Sequence, residues 1–147
     1  MTTKEYLEQL RGIDVDIVNT GGQAQHWMDI ATRMGHPPMG EKVDSSPKPD
    51  QMENAIIKAI ECSKRAEKEA DRLIQLKEKI ETQIVSMKEH GTYGKTYYYL
   101  LWGTYHDNKK LAALSDCVDY SYAQAKRLYK KALMCFEKRY GDTYLHS

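Results

Sequence analysis

The sequence predicts an all-α protein: a long N-terminal antiparallel helical hairpin of coiled-coil type, followed by a small helix-turn-helix domain. Three observations carry that expectation. Apolar residues recur at alternating three- and four-residue steps through most of residues 3–90. All four prolines fall between Gly35 and Asp50, so the segments on either side are free to be helical. Two short apolar stripes separated by turn chemistry lie between Lys109 and Phe136.

From Thr3 to about Met34 the positions Tyr6, Leu10, Ile13, Ile17, Ala24, Trp27, Ala31 and Met34 follow a heptad seam in which only the step at Thr20 is polar. Gly21 and Gly22 mark an expected break. Residues 35–50, GHPPMGEKVDSSPKPD, read as a loop, with Asp50 as a cap for the next helix. From Gln51 to about His90 there is neither Gly nor Pro, and the seam continues through Met52, Ile56, Ala59, Ser63, Ala66, Ala70, Leu73, Lys77, Ile80, Ile84 and Met87. A helix of about forty residues, close to 60 Å long, is expected here. The loop suits the first helix folding back antiparallel on the second. Ile57, Ile60, Ile74 and Leu76 widen the apolar stripe enough for a second partner, predicting a homo-oligomer through the long helix.

Gly91 and Gly94, in HGTYGK, interrupt the pattern and place an expected domain boundary, giving 1–90 and 91–147. The run TYYYLLWGTYH, from Thr96 to His106, reads as a helix packed under the helix-turn-helix. Tyr97, Tyr98 and Tyr99 with Trp102 could alternatively stack bases of a single strand. Asp107 or Asn108 is expected to cap the next helix, and the tail after Tyr140 to be frayed.

Leu111, Leu114 and Val118 form one short stripe; Ala125, Leu128, Ala132 and Phe136 form the second. Between them, Asp119 stands where the turn needs a left-handed residue, and Ser121 can cap a helix that starts at about Tyr122. Opposite the second stripe lie Gln124, Lys126, Arg127, Lys130 and Lys131, donors suited to phosphates and base edges in a major groove. The same residues would also suit a plain helical hairpin with a solvated lysine face.

Charge supports a division of labour. The 147 residues carry a net charge of only +1, but residues 1–90 hold 13 Lys and Arg against 16 Asp and Glu, and residues 91–147 hold 9 against 5. A basic C-terminal third is where attraction to phosphates would act. Ten of the eleven tyrosines also lie from Tyr93 onward. Three cysteines, Cys62, Cys117 and Cys135, form no CxxC pair and read as reduced thiols, the last two as small hydrophobes beside the stripes. MTTKEYLEQL has no apolar core of signal-peptide kind, and no run approaches a membrane span, so a cytoplasmic protein is expected. The five histidines are scattered, with no HExxH; there is no P-loop, GxGxxG or GxSxG. Neither an enzyme nor a metal or cofactor site is expected, and the mixed charges of residues 64–81 read as the solvated exterior of a coiled coil.

The motifs LxxLSxxxxYS (Leu111 to Ser121) and KRLYKKALMCF (Lys126 to Phe136), with KEYLEQLRGID near the start, Ala31-Thr32, VDSS (Val43 to Ser46), DQM (Asp50 to Met52) and DRLIQLKEKI (Asp71 to Ile80), cover nearly the whole chain. In them the sequence resembles small phage and prophage proteins with a sigma-factor region-four-like helix-turn-helix, akin to ArpU-type late transcription regulators. It departs from that pattern at Asp119 in place of the turn glycine, at Ser115, and at Thr104 in place of an arginine before Tyr105. The resemblance implies a bacterial host, double-stranded DNA as ligand and RNA polymerase as a partner of the hairpin unless that hairpin serves dimerisation. It implies base reading at Tyr122, Ala123 and Arg127, with Gln124, Lys126, Lys130 and Lys131 as backbone contacts or their neighbours and Ser121 in the same DNA-binding set. The rival expectation is a helical interaction, phage-assembly or DNA-packaging protein without sequence-specific DNA binding.

Overall fold

The computed structural model describes residues 1–35 and 49–146. All regular structure among them is helical: α1 (Thr3–Glu8), α2 (Ile13–Gly35), α3 (Pro49–Val85), α4 (Gly94–Leu101), α5 (Leu111–Cys117) and α6 (Tyr122–Tyr140). Short 3-10 turns follow α3 (Ser86–Glu89) and α6 (Gly141–Thr143), and a π-type turn, Trp102–His106, follows α4. No helix among the described residues is long and apolar enough to cross a membrane. The proline-rich loop expected over 35–50 lies almost wholly outside the described residues. Asp50 stands in the first turn of α3, which opens at Pro49, where a missing N–H costs no intrahelical bond.

The chain forms two compact units, Val15–Ile74 and a second made of Met1–Asp14 with Gln75–Ser147. The boundary expected between residues 90 and 91 therefore falls inside a unit. Gly91 takes φ +63° in a tight turn that Gly94 closes, its N–H donating to the Gly91 carbonyl. A Cβ at Gly94 would come within 2.6 Å of the Met87 carbonyl, so the two glycines let α4 press back against the Ser86–Glu89 turn and do not act as a spacer.

The first expected helix breaks earlier than its glycine pair. Gly12, at φ +73°, turns the chain between α1 and α2, whereas α2 runs unbroken through Gly21 and Gly22. Glycine weakens a helix by about 1 kcal/mol but keeps its N–H, so the ladder continues. In the 15–74 unit the seam is built of small residues: Ala31, Ala59, Ser63 and Ala70 are buried, and the Ser63 hydroxyl donates to the Ala24 carbonyl at 2.9 Å. Larger apolar residues, Val15, Val18, Trp27, Met28, Ile57 and Ile74, stay exposed.

The other unit holds the large core. Leu7, Ile80, Ile84, Met87, Leu100, Leu101, Tyr105, Leu114 and Phe136 are each almost fully buried. Ile80 and Ile84, on the seam expected to serve self-association, are thus covered by their own chain. Asp107 and Asn108 do not cap α5: Asp107 bonds His106, Asn108 adopts φ +55°, and Lys110 precedes the helix without a side-chain cap. Nor is the tail frayed, since Tyr144 is 2% exposed.

Candidate nucleic-acid interface

Local chemistry sets the geometry of α5 and α6. Asp119 adopts φ +58°, the left-handed conformation the turn needs. Ser121 then caps α6 reciprocally: its hydroxyl accepts the Gln124 N–H at 3.2 Å, and the Gln124 side-chain carbonyl accepts the Ser121 N–H at 3.1 Å. Ala125, Leu128, Ala132 and Phe136 are buried, as their spacing predicts. Leu128 joins Leu100 and Leu114 in a cluster against which Tyr97, Tyr99, Leu111, Tyr120 and Tyr129 pack. Tyr97 and Tyr99 are therefore half-buried packing for the two helices, while Tyr98 lies against Trp102 and beneath the Lys88 ammonium.

Gly103 makes that packing close. A Cβ there would collide with the Leu114 side chain, so α5 rests directly on backbone. Cys117 is exposed and does not serve as a buried small hydrophobe; Cys135 is half-buried, and all three thiols are free.

With α6 anchored on one side, its other side is set by the 100° step of the helix. Ser121, Tyr122, Gln124, Lys126, Arg127, Lys130 and Lys131 are all exposed. Lys126, Arg127 and Lys130 lie opposite the buried stripe, with Gln124 and Lys131 on one flank and Tyr122 on the other. The Lys126 ammonium sits 4.6 Å from the centre of the Tyr122 ring, which holds that ring at the tip of the face. Gln124 is committed to the cap through its carbonyl and keeps only its amide donors for a ligand. Among the described residues no carboxylate lies within ion-pair distance of Lys126, Arg127, Lys130 or Lys131. These cations are solvated and available.

Three further cations stand beside that tip, and sequence reasoning gave them no role. Arg11, Lys109 and Lys110 line a cleft of about 530 Å³ together with Thr104, Asn108 and Tyr122. Lys109 and Lys110 immediately precede α5 and were legible as a basic pair. Arg11 was not, because it arrives from the turn after α1, ninety-three residues away in sequence from its hydrogen-bond partner: its guanidinium donates to the Thr104 carbonyl at 3.2 Å and lies 5.3 Å from the Tyr105 ring centre. Tyr105 is itself fixed through a hydroxyl contact with Tyr129 of α6. Burial, then that contact, push its phenol well above the usual tyrosine range, so the ring stays neutral beneath the cation.

Among the described residues, no group of three or more His, Cys, Asp or Glu side chains is arranged to hold a metal ion. No family model, curated protein or solved structure matches the chain.

Proposed function

We propose that this protein is a non-catalytic, DNA-binding transcription regulator of phage type, with α5 and α6 acting as a sigma region-four-like helix-turn-helix. One observation carries the reading: an anchored, capped helix whose solvent face presents Tyr122, Lys126, Arg127, Lys130 and Lys131 with no competing carboxylate partner among the described residues. Such a face offers a bidentate donor for a guanine edge and ammonium groups for phosphates. The phage-type assignment rests on the resemblance of the Leu111–Ser121 and Lys126–Phe136 motifs. Genome-wide DNA capture on the tagged protein, followed by titration of captured and scrambled duplexes, tests the proposal. Enrichment of discrete sites with tighter binding to them is expected; failure to bind either duplex removes it.

A second reading has its own support. α2 and α3, read as an antiparallel hairpin, leave Val15, Val18, Trp27, Met28, Ile57 and Ile74 exposed over a thin, alanine-rich seam. An apolar surface of that kind fits a second copy, RNA polymerase or an assembly partner. Should sedimentation show an oligomer and DNA capture find nothing, the helical assembly or packaging role replaces the first.

A further inference from the structure

The cleft formed by Arg11, Lys109 and Lys110 is separate from the outward face of α6, and its chemistry is that of an anion site. It collects three cations from two distant chain segments, and no carboxylate lines it. Asp107, close to the cleft in sequence, is bonded to His106. Arg11 is held at one wall by the Thr104 carbonyl and the Tyr105 ring, which spends little of the guanidinium's donor capacity and removes much of its freedom. Asn108 adds a neutral polar residue to the lining.

Lys109 and Lys110 add two ammonium groups across from Arg11 that make no ion pair among the described residues. Tyr122 borders this cleft and also begins the outward face of α6, so one duplex can meet both.

We propose that this cleft clamps a phosphodiester of the DNA backbone next to the groove entered by α6, making residues of the α1–α2 turn part of the DNA-binding surface. The inference rests on the DNA-binding reading above. It adds that Arg11, outside the helix-turn-helix, supplies affinity without sequence information.

The test is a salt titration of the full chain on a captured duplex and on a mixed-sequence duplex. Removing a phosphate-contacting cation makes the slope of log K against log salt shallower by about 0.9. Arg11→Gln is expected to show that change on both duplexes, with Arg11→Lys retaining most of the slope. Lys109→Gln combined with Lys110→Gln should lower the slope by about twice as much. This pair matters because neither lysine side chain makes a hydrogen bond among the described residues, so it carries the test if Arg11→Gln perturbs the fold by circular dichroism. Unchanged slopes in variants of a wild type that binds DNA would overturn the clamp and leave the DNA-binding reading standing. Variants that lose polyglutamate binding while keeping the wild-type DNA slope would overturn it in favour of an acidic protein segment. A wild type that binds neither duplex would overturn both.

Discussion

Tyr144 lies flat against Tyr6, with ring centroids 4.2 Å apart and planes inclined by 9°, so the two ends of the described chain meet in the core. Phe136 completes the group at 6.2 Å from Tyr6 and 6.3 Å from Tyr144. Each hydroxyl is satisfied: Tyr6 donates to the Gln83 side-chain carbonyl at 2.6 Å, and Tyr144 shares a hydrogen bond with the Thr3 hydroxyl at 2.9 Å. Three segments far apart in sequence are pinned by this one cluster.

Tyr144→Ala should therefore cost about 3 to 5 kcal/mol, the range for deleting a buried aromatic ring. Tyr144→Phe should cost only about 1 kcal/mol, the worth of its hydrogen bond. Chemical denaturation measures both. By the same contacts, a fragment of residues 92–147 should lack cooperative unfolding, because it exposes Phe136 and Tyr144 without Tyr6. A sharp two-state transition in that fragment would show that α4 to α6 stand alone.

Gly103→Ala should destabilise by about 1 to 3 kcal/mol, since its methyl enters the space held by Leu114. Combining it with Leu114→Ala should cost less than the two single changes together, because the smaller side chain makes room. A double-mutant cycle with no coupling would place the strain elsewhere.

Alkaline pH should unfold the protein early. Burial raises Tyr105, Tyr6 and Tyr144 above the ordinary tyrosine value of 10.0. Above that value the unfolded chain loses these protons while the folded chain keeps them, so the stability they contribute is complete below pH 10.0 and disappears as pH climbs through the raised values. Each group lowers stability by about 1.4 kcal/mol per pH unit within its window. Denaturation midpoints should stay level to about pH 10 and then fall, and Tyr105→Phe should make that fall shallower.

On the proposed interface, Arg127 and Lys130 should separate by function. Arg127→Ala should cost about 1 to 3 kcal/mol on a captured site and little on scrambled DNA. Lys130→Ala should weaken both alike and flatten the salt dependence by about one unit. Equal losses for Arg127→Ala on the two duplexes would remove it from base reading.

The sequence by itself determined the features that depend on neighbours within a helical turn or two. Asp119 in the left-handed region, the Ser121–Gln124 cap, the buried Ala125, Leu128, Ala132 and Phe136, and the exposed Lys126, Arg127, Lys130 and Lys131 all arise from local sterics, capping chemistry and a 100° step. The seam of α3 obeys the same rule. Tertiary structure alone decided the rest: the core position of Tyr144, the inclusion of residues 1–14 in the C-terminal unit, and Arg11 beside Thr104 and Tyr105. Those contacts join residues separated by most of the chain, and periodicity says which face of a helix is apolar without naming the distant surface that will cover it. Gly12 and Gly22 make the same point at the level of backbone. Both are glycines in an apparently continuous pattern, but only Gly12 turns the chain, because α1 must swing Tyr6 and Leu7 into a core that residues 75–146 complete.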